Sequence, residues 1–287
     1  MDQEFKFIEC PRDAMQGFSK FIATDKKIRY INQLLKVGFH TIDFGSFVSE
    51  RYVPQMKDTE EVLERLEVVA SNSGLLVIVV NRRGAQKAVE FEKIKYLGYP
   101  LSVSETFQRN NANMSIGASL ILAEQIQELC LQKDKELVVY ISMSFGNHYS
   151  DPYHTDLVME MIKRLDDMGI GVVSLADTVG IATSDEINKL LSLAIGEFPR
   201  VEIGAHLHST PEGVSEKLKA VYDSGCQRLD SALLGYGGCP MAEDDLTGNL
   251  ATEKVISFFK NKGIRTGLDE NEFEKALMLA DDIFQLK

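Results

Sequence analysis

The sequence predicts an α/β fold in which eight parallel strands alternate with eight helices and close into a TIM (β/α)8 barrel, with an additional C-terminal helix. Three observations predict it. Short β-branched runs alternate with longer amphipathic stretches along the whole chain. No low-complexity tract and no Pro/Gly/Ser-rich linker divides the 287 residues. Polar or ionisable residues follow nearly every apolar run, as expected where barrel strands end at a functional face.

The predicted strands are 4–10, 39–45, 75–81, 99–105, 136–143, 170–177, 201–208 and 227–234. The predicted helices are 25–37, 58–70, 83–97, 115–132, 154–168, 184–195, 211–224 and 250–261, and a last amphipathic piece, 269–285, is expected to pack outside the barrel. We therefore expect one domain over 1–287, with a barrel core of about 4–262 and a C-terminal helical extension of about 263–287. The competing architecture is a doubly wound open sheet, but the first strand carries no GxGxxG phosphate loop.

The charge balance and the termini exclude several classes of protein. The formal net charge of −12 repels phosphate backbones and anionic lipid, so neither nucleic acid nor a membrane is expected as a partner. No apolar run approaches the length of a membrane helix, which is about 20 residues. The N-terminal segment MDQEFKFIECPRD has no basic region followed by an apolar one, so a secretory signal is not expected. The four cysteines form no CxxC pair, which indicates free thiols and a cytoplasmic protein.

Two histidines in AHLHST (205–210) form the sharpest local pattern. His206 and His208 are two apart on a predicted strand, so their side chains point to the same side and can reach one metal ion. The alternative is a hydrogen-bonded pair at the barrel mouth without a ligand.

The segment ECPRDAMQ places Arg12 and Asp13 just past the first strand. A guanidinium beside a carboxylate keeps that carboxylate ionised, so Asp13 can bind a divalent cation. The planar fork of Arg12 suits a carboxylate, thioester or enolate oxygen. A purely structural ion pair is the alternative.

A glycine-rich loop, GYGGCPMAEDDLTGN (235–249), follows the last predicted strand. Its thiol, Cys239, can exchange a proton in a polar loop, whereas the alternative is a small buried filler. The carbonyl oxygen of Asn249 can complete a metal site, or the residue can cap the next helix.

Further polar residues lie near the same predicted face. Asp43, Glu105, Asp177 and Asp230 are candidate general bases or orienting groups, and each can instead be a helix cap or an ion-pair partner. Basic residues in the predicted loops can receive phosphates or lie on a solvated surface; they are Lys20, Arg51, Arg82, Arg83 and Arg109.

Together, RDAMQ, DFGSFVSERYVPQMKDTEEVL, SVSETFQRNNANMSI, SLADTVGIAT, AHLHST and GGCPMAEDDLTGNLATE resemble 3-hydroxy-3-methylglutaryl-CoA lyase, of the DRE-TIM metallolyase superfamily. The resemblance runs in order from about residue 8 to residue 254. It implies a TIM barrel with one Mg²⁺ or Mn²⁺ ion at its mouth and an acyl-CoA substrate. The implied metal ligands are Asp13, His206, His208 and Asn249.

The resemblance also implies catalytic roles. Arg12 matches the arginine that stabilises enolate charge, Cys239 the loop cysteine that transfers a proton, and Asp177 an acidic residue near the reacting hydroxyl. Either Asp13 or Asp177 is expected to assist proton removal. The residues expected to bind substrate are Gln16, Asp43, Glu105 and Lys20.

The chain departs from the family pattern mainly after Arg12-Asp13. Ala14 replaces a glycine of the family pattern. The basic and amide residues that lie near the CoA end in relatives are replaced by residues 17–19 here, and Lys20 follows one position further along the chain. Asp43 stands for glutamate and Ser209 for aspartate. The expected reaction is cleavage of (S)-3-hydroxy-3-methylglutaryl-CoA to acetoacetate and acetyl-CoA.

Two other functions stay open at this stage. One is a related carbon–carbon lyase or Claisen synthase that acts on another acyl-CoA or a 2-oxo acid. The other is a metal-binding barrel without catalysis. Relatives are often dimers, so a homodimer is a further expectation, and the pathway, leucine degradation among others, is left open.

Overall fold

The computed structural model describes residues 5–238 and 247–284, apart from the side chain of Ala70, and it confirms the predicted barrel. Its strands are β1 (Lys6–Glu9), β2 (Thr41–Ser46), β3 (Gly74–Ile78), β4 (Ile94–Ser102), β5 (Glu136–Ser142), β6 (Val172–Asp177), β7 (Glu202–Ser209), β8 (Arg228–Ser231) and the short β9 (Gly248–Asn249). Strands β1 to β8 pair in parallel in chain order, and β1 also pairs with β8, which closes the barrel.

The described helices are α1 (Pro11–Gln16), α2 (Thr24–Val37), α3 (Thr59–Glu64), α4 (Arg82–Ala88), α5 (Glu105–Ala112), α6 (Ile116–Gln132), α7 (Thr155–Asp167), α8 (Ser184–Glu197), α9 (Val214–Asp223), α10 (Thr252–Asn261) and α11 (Glu270–Phe284). Local signals explain several boundaries. Helix α8, for example, begins after Thr183, whose side chain and that of Glu186 form a reciprocal capping box.

Several predicted boundaries are wrong. The α-helix predicted over 58–70 ends at Glu64, and the strand predicted over 227–234 ends at Ser231. The helix predicted over 83–97 ends at Ala88, and β4 begins at Ile94 rather than at Tyr99. Ile94, Tyr96 and Leu97 are compatible with the periodicity of a helix or of a strand, and pairing of Tyr96 and Leu97 with β5 makes this segment a strand. The strand predicted over 99–105 ends at Ser102, and Glu105 is the first residue of α5.

Alternation along the strands separates two apolar layers. Leu75 and Val77 pack in the main core between the strands and the helices, whereas Leu76 and Ile78 belong to a smaller cluster inside the barrel. Tyr140 of β5 joins this inner cluster. The inner layer therefore supports the barrel mouth from below.

The C-terminal helix α11 packs against α2, as expected for a piece outside the barrel. Lys26 pairs with Asp282 at 2.9 Å, and the ring of Phe284 stacks on that of Tyr236. Strand β9 runs antiparallel to β7 and places Asn249 opposite His208, so the end of the glycine-rich loop crosses the barrel mouth. No helix of the described residues is long and apolar enough to cross a membrane.

Candidate active site

A cavity of about 930 Å³ opens at the C-terminal mouth of the barrel, where function is expected in this fold. Strand ends form its floor, and residues 109–114, from the end of α5 and the turn after it, form part of its wall. The sequence-predicted site residues on its lining are Arg12, Asp13, Gln16, Asp43, His206, His208 and Asp230.

Three of the predicted metal ligands converge on this floor. The candidate ligand atoms of Asp13, His206 and His208 all lie within 4.8 Å of one another. The two imidazole rings project from the same side of β7, with centroids 5.1 Å apart. Such a set of one carboxylate and two imidazoles suits a divalent cation.

Hydrogen bonds hold both histidines by the same ring atom. His206 Nδ1 contacts Asp230 Oδ2 at 3.0 Å, and His208 Nδ1 lies 2.9 Å from the carbonyl oxygen of Thr178. Burial lowers the pKa of His208, so its imidazole is neutral, and Nδ1 donates to Thr178. His208 Nε2 is buried and has no hydrogen-bond partner among the described residues. A lone pair left in this way is what a metal ligand requires.

Asp13 is held as a carboxylate by its surroundings. Burial raises the pKa of Asp13, but the opposing interactions, of which the charge of Arg12 is the largest, outweigh burial, so its pKa lies well below the ordinary value. Its Oδ2 accepts from Asn249 Nδ2 at 2.7 Å. The structure therefore brings all four predicted metal ligands together.

One glycine of the loop permits this close arrangement. Gly237 adopts φ +94°, and a Cβ there would meet Asn249 Nδ2 at 2.6 Å and the carbonyl oxygen of Asp13 at 2.7 Å. The next residue, Gly238, donates its N–H to Asp13 Oδ2 at 3.2 Å. Cys239 itself lies outside the described residues.

Arg12 is fixed between two carboxylates. Its Nε and Nη2 donate to Asp43 Oδ2 at 3.0 and 2.6 Å, and its Nη1 donates to Asp13 Oδ1 at 3.0 Å and to Gln16 Oε1 at 2.9 Å. Burial raises the pKa of Asp43 to about 6, although Arg12 opposes this shift. The guanidinium is therefore positioned beside the three converging ligands.

Three predicted site residues lie elsewhere. Asp177 does not line the cavity: its Oδ2 accepts from Lys217 Nζ at 2.5 Å, and the same ammonium donates to the carbonyl oxygen of His208. Glu105 accepts from the N–H of Ile116 and pairs with Arg109. Lys20 is exposed and is not on the described lining.

Sequence reasoning missed four residues close to the site. Tyr140 packs edge-on against His206, and its hydroxyl has no partner within the described residues. Cys10, the residue after β1, forms a second close group with His206 and Asp230. Lys217 and Arg228 are buried charges in a helix and a strand. For Lys217 and Arg228, the sequence offered one signal: a charged residue at a position where the helix or strand pattern calls for an apolar one.

The fold and the site together define a (β/α)8 barrel with a carboxylate–imidazole group at its mouth. The chain belongs to the HMGL-like family, whose model matches residues 5–279. The expected family is therefore confirmed, as is the expected class of carbon–carbon lyase.

Relatives and solved structures agree with this assignment. The chain is 33% identical over 272 residues to the cytoplasmic 3-hydroxy-3-methylglutaryl-CoA lyase of Rattus norvegicus, covering 94% of this chain and 78% of the relative. A Bacillus subtilis hydroxymethylglutaryl-CoA lyase is 30% identical, covering 94% and 88%.

Among solved structures, the Bacillus subtilis HMG-CoA lyase superposes with a TM-score of 0.91 at 27% identity, covering 97% of this chain and 93% of that one. An Acinetobacter baumannii HMG-CoA lyase in complex with coenzyme A and 3-methylmalate gives a TM-score of 0.89 at 28% identity, covering 98% and 92%.

Proposed function

We propose that this protein is a divalent-metal-dependent lyase that cleaves (S)-3-hydroxy-3-methylglutaryl-CoA to acetoacetate and acetyl-CoA. One observation carries the proposal: Arg12 lies beside the converging Asp13, His206 and His208 in one cavity. The relatives support the acyl-CoA substrate, since those named above are lyases of this compound.

Asp13, His206, His208 and Asn249 would hold the cation, for which we propose Mg²⁺ or Mn²⁺. The unpartnered Nε2 of His208 fits this role. A bound divalent cation lowers the pKa of the substrate hydroxyl and offsets negative charge.

Cleavage needs a group that takes the C3-hydroxyl proton and a group that stabilises the enolate formed when the C2–C3 electron pair moves toward the thioester. We propose Arg12 for the second task, and a fixed donor to such an oxyanion contributes about 3 kcal/mol. Its anchorage by Asp43 keeps it oriented before the reaction, so little reorganisation is needed.

The sequence left two carboxylates, Asp13 and Asp177, as possible acceptors of the hydroxyl proton. Of these, Asp13 lines the cavity, whereas Asp177 is paired with Lys217 outside it. We therefore propose Asp13 for proton removal, and we propose that Asp177 acts through Lys217, which supports the backbone of His208. Cys239 is proposed to protonate the acetyl-CoA carbanion, and the N–H of the preceding Gly238 is already bonded to Asp13.

Release of acetoacetate by the purified protein tests this function directly. We expect product with Mg²⁺ or Mn²⁺, loss of product after EDTA, and restoration on adding metal. The Cys239→Ala variant should lose about 100-fold or more in kcat, because a proton donor is removed. Cys130→Ala, a buried cysteine of α6, is the matched control and should retain activity.

Other outcomes would separate the alternatives. Activity that survives complete removal of metal would refute metal dependence. No acetoacetate despite a bound cation would favour a related lyase or Claisen synthase acting on another acyl-CoA or 2-oxo acid. The homodimer and the cytoplasmic location remain predictions, the latter in keeping with a relative named as cytoplasmic.

A further inference from the structure

A buried arginine lies inside the barrel below the candidate metal site. Arg228 of β8 is 1% exposed and is two residues before Asp230, so both side chains point into the barrel. Gly204 of β7 leaves the space that Arg228 fills: a Cβ on Gly204 would lie 2.9 Å from Arg228 Cδ and 3.3 Å from Ser174 Oγ. The absence of a side chain at Gly204 therefore makes room for the Arg228 side chain inside the barrel.

Arg228 is only partly neutralised from below. Its Nη1 donates to Glu202 Oε1 at 3.1 Å, and Glu202 also pairs with Lys6. Arg228 Nε and Nη2 are buried and have no partner within the described part of the chain. Two of the three guanidinium nitrogens are thus unpaired within the described residues.

Near Arg228, the barrel interior holds a buried carboxylate and two buried hydroxyl groups. Asp230 is 1% exposed, and its Oδ2 contacts His206 Nδ1 at 3.0 Å. Its Oδ1 has no partner among the residues described, and the same holds for Ser174 Oγ and the Tyr140 hydroxyl. A buried carboxylate is costly without a nearby cation or donors, and buried polar atoms of this kind are ordinarily satisfied by ordered water.

We propose that Arg228 is a positioning residue that sustains the metal-binding orientation of His206 through Asp230. Its charge stabilises the Asp230 carboxylate from below and leaves Oδ2 free to accept from His206 Nδ1. The Nε2 atom of His206 then carries its lone pair toward Asp13 and His208. A carboxylate behind a ligating histidine fixes its tautomer and strengthens the ligand.

The inference rests on the metal site proposed above, and the test is Mn²⁺ affinity of the metal-free protein, measured by electron paramagnetic resonance. Arg228→Met keeps the length of the stem and removes the charge, and it should weaken Mn²⁺ binding by about 10- to 100-fold. Arg228→Lys should recover most of this loss. Glu202→Gln removes the lower partner of Arg228 and should change the affinity by less than about 3-fold.

A double-mutant cycle separates positioning from general stability. In the Asp230→Asn background, Arg228→Met should have little further effect, because its route to His206 is already broken. Equal losses in both backgrounds would overturn the proposal, as would a lower melting temperature with unchanged Mn²⁺ affinity. Should Arg228→Met not fold, Arg228→Gln replaces it with the same expectations. Failure of the unsubstituted protein to bind Mn²⁺ would instead refute the metal site and this inference with it.

Discussion

Glu9, the last residue of β1, provides a test of electrostatics inside the barrel wall. Its side chain is fully buried; Oε1 accepts from the N–H of Leu233 at 2.8 Å, and Oε2 lies 2.6 Å from Thr252 Oγ1. Thr252 Oγ1 also lies 2.9 Å from Ser231 Oγ. Burial raises the pKa of Glu9 to about 8, although both hydrogen bonds oppose the shift.

The sign of the pH effect follows from this raised pKa. Between the ordinary value of 4.5 and about 8, the unfolded chain has released the proton and the folded chain keeps it. The stability from Glu9 is therefore fully present below pH 4.5 and is lost as pH rises toward 8. One proton contributes about 1.4 kcal/mol per pH unit, so the 3.5 units between the two values correspond to about 5 kcal/mol at most.

The variant Glu9→Gln removes the titrating group and keeps its shape. The amide oxygen can accept from Leu233, and the amide nitrogen can donate to Thr252 Oγ1. We expect the free energy of unfolding, measured by urea titration with circular dichroism at pH 5 to 8, to fall less steeply with pH by about 1 kcal/mol per unit. Glu197→Gln, an exposed carboxylate of α8, is the control and should leave the slope unchanged. An unaltered slope in Glu9→Gln, or equal destabilisation at every pH, would refute the reasoning.

Two further predictions concern the active site. Asp43→Asn should lower kcat/KM about 100-fold, because Arg12 loses its carboxylate anchor and small misplacements are costly. In the unsubstituted enzyme kcat/KM should rise with pH through about 6, where Asp43 ionises, and a pH–rate profile of the variant should lack this limb. Gly237→Ala should weaken both metal affinity and turnover, since the added methyl group meets Asp13 and Asn249; calorimetric titration with Mn²⁺ showing unchanged affinity would contradict this.

Much of the site could be predicted from local patterns. His206 and His208 are two apart on a strand, and the structure places their rings edge to face with centroids 5.1 Å apart. Asp13 follows the first strand and reaches the same point because parallel barrel strands all end at one face. Position along a strand and strand direction were sufficient for these residues.

Two other residues were misplaced, one because a local helix cap was overlooked and one because its partner is distant in the chain. Glu105 looked like the end of a strand, but Ser104 accepts a hydrogen bond from the N–H of Phe107 and starts a helix there. Asp177 follows an apolar strand as the other candidates do, yet it pairs with Lys217, which is 40 residues away in the chain. Such partners come together only when the chain has folded.

The sequence by itself determined the alternation of strands and helices, the barrel and the residue types at its mouth, because side-chain periodicity and turn signals are properties of short segments. The tertiary structure decided which of those side chains share the cavity and which charges lie beneath it. Arg228 shows the difference: it lies on β8, whereas the space left by Gly204 and the carboxylate of Glu202 are both supplied by β7. Burial and distance between such segments set the electrostatics, and neither exists until the barrel closes.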